Sequence, residues 1–420
     1  MRLRSAAAPF ASLALVGALA VGVTPPAAAQ PAVLAIWTPD LTTGEPAGVR
    51  LDGGSVRLDG AGAYLAPVEE GSAPRGAAVP TGLLTLRPQQ LPGATDRVVT
   101  TVVGDVPAGS DAVVDVRGRR AATGGWTEWI PAEPGAGGMV AELPEPTSEV
   151  QGRLVITGPP GSGPTVRGIT LAAQPATGRL AQAGAEQAAV HYRVFATREG
   201  LVGGTTANGH VITERDHFVA LPSRRGLSTR DTSDYSVKVC APNGRCAFAP
   251  VWDVGPWNTR DDYWNPPSVR QEWRDLPQGL PQSQAAYKNG YNDGKDQFDR
   301  TVLNPAGIDL ADGLFWDALE LDDNAWVTVD YLWTGNERLS AVVGDLPVLA
   351  APDPAAPPVG IAANGAAVPV QCVLGQGADR WLRIGAGQYL AGAAVPDIGA
   401  PPGCATAVTG TPDTTGRTAG

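Results

Sequence analysis

The sequence predicts a mostly β protein with several domains. Glycine and proline are frequent, with 53 and 39 among the 420 residues, and they interrupt the abundant alanine too often for long helices. Short runs that alternate apolar and polar residues lie between these turn residues, as in 99–103, 112–116 and 154–157. Such alternation is typical of strands with one solvated face. The length allows two or three domains, each with a core of its own.

The first 29 residues have the order of a secretory signal peptide. Arg2 and Arg4 are followed by an apolar run over 10–23 and by three alanines at 27–29. A transmembrane anchor is the alternative, but the run is shorter than the ~20 residues that a membrane span needs. We therefore expect a secreted protein, extracellular or associated with the cell wall, that has no stable membrane anchor.

Changes in composition divide the remaining chain into modules. Trp126 and Trp129 lie in the first module, which resembles the accessory β-sandwich modules of secreted cell-wall proteins. These rings could bind sugar, although packing in the core is favoured because tryptophan is largely buried on average. The expected divisions are a β-sandwich over 30–176, a linker over 177–189, a central β block over 190–335, a C-terminal β module over 340–404 and a disordered tail over 405–420.

Charge and cysteine content limit the partners and the compartment. The net charge of −11, with no basic stripe, argues against nucleic acid as a partner. Four cysteines in an exported chain suggest two disulfides, for which three pairings exist. Cys240 with Cys246 is favoured because an Asn-Gly turn lies between them, and Cys372 with Cys404 would then join the ends of the C-terminal module. Zinc is the alternative, but the spacing matches no familiar metal site; neither a metal nor a cofactor is predicted.

Four motifs in the central block point to a known family. They are Thr206-Ala207-Asn208-Gly209, His217 shortly before Leu221-Pro222, Asp253-Val254-Gly255-Pro256, and Ile308-Asp309-Leu310. Together they resemble the double-psi β-barrel of the rare lipoprotein A family and, more distantly, expansins. The resemblance covers roughly a third of the chain.

This resemblance implies action on the glycan strands of peptidoglycan, in some members as a lytic transglycosylase. Asp253 would be the general acid, since a carboxyl with a raised pKa can protonate a leaving glycosidic oxygen, and His217 would be its polar partner. The flanking rings of Trp252 and Trp257 would raise the pKa of Asp253 if they lie close. Alternatively, Asp253 holds a turn and His217 satisfies a local hydrogen bond.

Hydrolysis would need a second carboxylate to activate water, and Asp309 and Asp312 are the candidates. An inverting mechanism would place the two carboxyl groups ~6.5–9.5 Å apart. For Asp309, capping of the following helix is the favoured role. His191 and His210 are expected to be structural or exposed.

The sequence departs from the family at three points. Val254 replaces an arginine, the lipid anchor is missing, and an insertion over 258–305 separates the last two motifs. Aromatic residues in and before this insertion could stack on sugar rings or could pack against the barrel, and neither alternative is favoured. Those expected to bind substrate are Trp252, Trp257, Tyr263 and Trp264.

The C-terminal module resembles bacterial SH3-like domains, because short strands lead to Trp381 and then to a Gly-Gln-Tyr turn ending at Tyr389. Such domains commonly bind the cell wall, although a purely structural barrel is the alternative. The predicted architecture is thus a β-sandwich, a double-psi β-barrel and an SH3-like barrel, with peptidoglycan as the partner. Two other functions remain open: a non-catalytic, expansin-like polysaccharide binder, and a scaffold or inhibitor that binds another protein.

Overall fold

The structure is a computed structural model that describes residues 32–60, 63–64, 80–159, 161–177 and 187–404. The predicted signal peptide, residues 178–186 of the predicted linker, and the tail over 405–420 lie outside the described residues. The predicted mostly β fold is confirmed. Among the described residues, no helix is both long and apolar enough to cross a membrane.

The N-terminal strands form one hydrogen-bonded sheet around an apolar core. The sheet turns over the core because one long strand, β10, pairs with β6 and β9 near its start and with β5 and β7 near its end. The strands are β1 (Ala35–Trp37), β2 (Glu45–Ala47), β3 (Val49–Asp52), β4 (Ser55–Leu58), β5 (Thr81–Thr85), β6 (Gln89–Asp105), β7 (Asp111–Gly118), β8 (Ile130–Pro131), β9 (Glu133–Gly135), β10 (Gly138–Thr157) and β11 (Thr165–Gln174).

The central strands close into a six-stranded barrel. Their order is β13-β16-β12-β17-β14-β15, and β15 pairs with β13 to complete the ring. Two of the pairs, β12 with β16 and β13 with β15, are parallel. The strands are β12 (Val190–Arg198), β13 (Val219–Leu221), β14 (Ser236–Cys240), β15 (Cys246–Val254), β16 (Ala306–Leu310) and β17 (Ala325–Tyr331).

The C-terminal strands build a second, nearly closed barrel that joins the first edge to edge. Phe248 of the central barrel pairs with Ala362, and the approach is so close that a Cβ on Gly360 would lie 1.7 Å from the carbonyl oxygen of Cys246. The strands are β18 (Leu339–Ala341), β19 (Leu346–Leu349), β20 (Pro358–Ala362), β21 (Ala367–Pro369), β22 (Cys372–Leu374), β23 (Trp381–Gly385) and β24 (Gln388–Ala391).

Two disulfides support these barrels, and both favoured pairings are confirmed. Cys240–Cys246 closes the β14–β15 hairpin across its Asn-Gly turn. Cys372–Cys404 ties β22 to the last described residue of the chain. Disulfides of this kind persist in oxidising compartments such as the cell exterior.

Buried arginines join the N-terminal sheet to the central barrel. Asp115 on β7 accepts hydrogen bonds from Arg153 at 2.7 Å and from Arg224 at 3.2 Å. Trp126 and Trp129 are buried beside this network and pack in the barrel core cluster. The packing role favoured for these two tryptophans is therefore the one that the structure shows.

The insertion over 258–305 is folded onto the barrel. It contains the helix α1 (Gln282–Asn289), and it is held by buried ion pairs between Asp261 and Arg270 and between Asp296 and Arg300. Short 3-10 turns lie here and elsewhere at Leu41–Thr43, Arg224–Gly226, Tyr291–Gly294, Leu332–Thr334, Gly377–Asp379 and Gly392–Ala394.

Candidate functional site

Four residues form one rung across neighbouring strands of the central barrel. Asp253 on β15 pairs with Ala220 on β13, Ala220 pairs with Asp309 on β16, and Asp309 pairs with Thr197 on β12. Side chains alternate along a strand, and the residues flanking Ala220 pack in the barrel core. The rung therefore faces away from that core, with only a methyl group between the two aspartates.

Asp253 is anchored at the edge of this rung by backbone amides. Its Oδ1 accepts hydrogen bonds from the N–H of Ala207 at 2.8 Å and from the N–H of Val254 at 2.7 Å. Ala207 belongs to the Thr-Ala-Asn-Gly motif, so the fold brings two of the four sequence motifs into direct contact. The side chain is buried.

A carboxyl group that the sequence analysis missed lies against Asp253. Glu199 follows β12 directly, and its N–H donates to the carbonyl of Leu310 at 2.9 Å, which continues the pairing of β12 with β16. Its buried carboxyl group lies beside that of Asp253, close enough for a hydrogen bond if one of the two carries a proton. Since Thr197 and Glu199 are two residues apart, strand alternation points both side chains toward the same face.

A hydrogen bond between these two carboxyl groups would need a proton on one of them. Both oxygens of Glu199 are buried, and among the described residues no N–H or O–H group donates to them. Two ionised carboxylates offer only acceptors, so their contact requires one of them to be protonated. Because Asp253 already receives two backbone N–H groups, which favour its ionised form, this proton would lie on Glu199 and be donated to Asp253.

The local electrostatics agree with this assignment. Burial raises the pKa of Glu199 well above its ordinary value, and the negative charges of Asp253, Asp309 and Asp312 raise it further. Burial also raises the pKa of Asp253, while hydrogen bonds from Glu199, Val254 and Ala207 oppose that rise. Burial and the neighbouring negative charges therefore both favour the protonated form of Glu199.

The two candidates for a second carboxylate have partners of their own. Asp309 accepts a short hydrogen bond from the hydroxyl of Thr197, within the rung. Asp312 is paired with Arg198 at 2.7 Å. The negative charges of both aspartates help to raise the pKa of Glu199, but Glu199 is the carboxyl group that lies beside Asp253.

His217 has a different partner from the one expected. Its Nδ1 lies 3.0 Å from the carboxylate of Asp345, which is on the C-terminal barrel. Its Nε2 is buried and has no hydrogen-bond partner among the described residues. Hydrogen bonding from His217 lowers the pKa of Asp345. The structure thus connects Asp253 to Glu199, and it connects His217 to the neighbouring barrel.

His210, expected to be structural or exposed, belongs to a small polar and aromatic cluster. Its Nε2 lies 2.7 Å from the carboxylate of Asp216, and its ring lies 4.6 Å from that of Trp252, measured between centroids. Trp252 also stacks on Phe218. The backbone N–H of His210 donates to the hydroxyl of Thr206, so the cluster is attached to the segment whose Ala207 contacts Asp253.

The four aromatic residues expected to bind substrate are mostly in the interior. Trp257, Tyr263 and Trp264 are buried, and the hydroxyl of Tyr263 donates to the carbonyl of Gly307. Their rings pack against the barrel, which is the second of the two alternatives that the sequence left open. Trp252 is half-buried, and its Nε1 has no partner among the described residues.

No metal site accompanies these carboxyl groups within the described part of the chain, where no group of three or more His, Cys, Asp or Glu side chains could hold an ion.

The comparisons with known proteins add one match. Residues 190–330, the central barrel with its insertion, match a family described as a domain of unknown function, DUF8814. A search of the curated proteins finds no match to the chain.

Proposed function

We propose that this chain is an exported cell-wall protein whose central barrel cleaves peptidoglycan glycan strands, with Glu199 and Asp253 as one acid–base centre. The observation that carries the proposal is the burial of these two carboxyl groups beside each other, with no N–H or O–H group of the described residues donating to either oxygen of Glu199. The two disulfides support export. The motifs shared with the rare lipoprotein A family support the choice of glycan as substrate.

The spacing of the pair favours a mechanism without an activated water. Carboxyl groups in hydrogen-bond contact are closer than the ~5–5.5 Å or ~6.5–9.5 Å separations of two-carboxylate glycosidases. The pair would therefore work as a single group. Its proton passes to the leaving glycosidic oxygen as the bond from that oxygen to C1 breaks. A hydroxyl oxygen of the same sugar then attacks C1, and the pair takes the proton from this hydroxyl. The pair is thereby restored, and an anhydro sugar end is formed.

Hydrolysis would engage Asp309 instead. Asp253 and Asp309 lie two strands apart in the same rung, which places their backbones about 9–10 Å from each other. This separation suits a water held between two carboxylates, so the chemical form of the product distinguishes the two mechanisms.

A non-catalytic, expansin-like binder is the second candidate function. The covered state of the acid centre favours it, because both oxygens of Glu199 are shielded from solvent and Ala207 holds Asp253 in place. Cleavage requires the loop with Ala207 to move aside, whereas binding elsewhere on the barrel does not.

The deciding experiment incubates the mature protein with intact peptidoglycan and with glycan strands stripped of peptide, followed by mass spectrometry of the soluble products. We expect anhydro-muramyl ends, and a loss of at least about 100-fold in their rate of release in Glu199→Gln and in Asp253→Asn. Glu214→Gln, an exposed glutamate on the neighbouring loop, is the matched control and should release product at the wild-type rate.

Products with reducing ends would replace the transglycosylase with a hydrolase. If neither substrate releases product while insoluble wall still captures the protein, the binder is the correct function. If Glu199→Gln is as active as the wild type, the acid–base centre is wrongly assigned.

A further inference from the structure

One tryptophan is exposed beside the acid centre. All eleven tryptophans lie in described residues, and the side chain of Trp316 is the most exposed, at 39%. It sits on the short helix Leu314–Ala318, which follows β16 and the loop with Asp312. A large aromatic ring in water is a common feature of surfaces that bind ligands with an apolar face.

Planar polar groups surround this ring. The guanidinium groups of Arg198 and Arg215 lie 4.8 Å and 4.9 Å from its centroid. Arg198 is paired with Asp312 at 2.7 Å, and Arg215 is paired with Asp317 at 3.1 Å. Two cations and two anions therefore form a rim that has no net charge but many hydrogen-bonding groups.

One member of the rim, Asp312, contributes to the electrostatic surroundings of Glu199. Arg198 directly precedes Glu199 in the chain, and the negative charge of Asp312 helps to raise the pKa of the Glu199 carboxyl group.

We propose that Trp316, Arg198 and Arg215 form a subsite that binds a pyranose ring of the glycan strand next to the acid pair. This inference rests on the proposed function and assigns a substrate contact to it. A pyranose ring has an apolar face of C–H groups that packs on an aromatic ring, and its edge carries hydroxyl groups that donate to carboxylates and accept from guanidinium groups. Because the rim is neutral overall, binding depends little on salt.

The test measures binding separately from cleavage. Calorimetry with the full mature chain, carrying Glu199→Gln to prevent turnover, uses two probes: a hexamer of N-acetylglucosamine and glycan strands stripped of peptide. Addition of Trp316→Ala should raise Kd roughly tenfold for both probes, while Trp316→Phe should retain most of the affinity.

Trp326 provides a matched control within the same barrel. It is a half-buried tryptophan on β17 with Arg193 at 4.9 Å and Lys288 at 4.1 Å from its ring centroid, so it has the same cationic surroundings as Trp316. Trp326→Ala should leave Kd unchanged. Equal Kd values for the parent and for Trp316→Ala would overturn the subsite, as would a Kd that rises steeply with salt.

The outcomes separate this inference from the proposed function. If wild-type protein releases no product but Trp316→Ala weakens binding, the subsite stands and the cleavage mechanism fails. If product is released and Trp316→Ala changes neither Kd nor the rate of release, the subsite fails alone. If neither probe binds any of the variants and no product forms, both proposals are wrong.

Discussion

Two groups of buried carboxyls in this molecule have opposite surroundings. Asp115, at the contact between the N-terminal sheet and the central barrel, is enclosed by Arg153 and Arg224. Burial alone would raise the pKa of Asp115, but the two arginines hold it below its ordinary value. Glu199 is equally covered, yet its neighbours are carboxylates, and its pKa is raised.

The difference separates a group that holds the fold together from a group suited to chemistry. A buried carboxylate between arginines stays charged at neutral pH, and it helps to fix the positions of the groups around it. A buried carboxyl among carboxylates keeps a proton that it can give away. The same functional group, a buried carboxyl, therefore has opposite pKa shifts that are set by the charges of its neighbours.

Removing the charge of Asp115 should have the largest effect on stability. Asp115→Asn leaves two buried arginines without their anion, and we expect a loss of about 3–5 kcal/mol in the free energy of unfolding, measured by denaturant titration. Asp105→Asn is the control, because Asp105 pairs with Arg167 at the same 2.7 Å distance but on the surface, and it should produce no resolvable change. Similar losses in both variants would show that burial does not distinguish the pairs.

The second-largest effect is expected when Glu199 is neutralised, and it is a change in how the free energy of unfolding depends on pH. Because the pKa of Glu199 is raised in the folded state, the folded protein holds a proton that the unfolded chain releases above its ordinary value of about 4.5. Wild-type stability therefore falls as pH rises from about 4.5 toward the raised pKa, and Glu199→Gln should remove this contribution and flatten the curve.

Asp115 has the opposite effect on the pH dependence of stability. Its pKa is lowered, so its contribution is present at neutral pH and is lost as pH falls below the ordinary value of 3.8. Unfolding measured from pH 3 to pH 8 in both variants tests the contrast. An unchanged slope above pH 4.5 in Glu199→Gln would show that Glu199 is not protonated in the native protein.

The smallest effect is expected for Asp345→Asn. This carboxylate is half-exposed and accepts from His217, so its charge is partly screened by solvent, and its removal should cost at most about 1 kcal/mol. Denaturant titration beside Asp115→Asn gives the comparison. A loss as large as that of Asp115→Asn would mean that the contact between the two barrels matters as much as the contact with the N-terminal sheet.

The sequence predicts the strands and disulfides well because these depend on local signals. Alternation, glycine turns and the Asn-Gly between Cys240 and Cys246 act over a few residues, and the structure confirms what they indicate. Asp253 was found because it stands in a motif, and the barrel does place it in a buried polar contact.

The partner of Asp253 was missed for a physical reason. Glu199 stands between Arg198 and Gly200, which is typical of an exposed turn, and only the pairing of β12 with β16 brings it to Asp253, 54 positions further along the chain. Tyr263 and Trp264 likewise become buried only when the insertion folds back on the barrel. A charged residue that directly follows the first barrel strand was the available signal, since Glu199 points to the same face as Thr197.

The close approach at Gly360 has a mechanical consequence. A flexible tether would let one barrel move freely around the other, so that ligands on the two barrels could lie at any mutual angle. Here the two barrels meet strand against strand, and the backbone of Gly360 lies too near Cys246 to admit a side chain. Both barrels belong to one compact unit, so two points of contact with a polymer, one on each barrel, would be held at a set distance from each other.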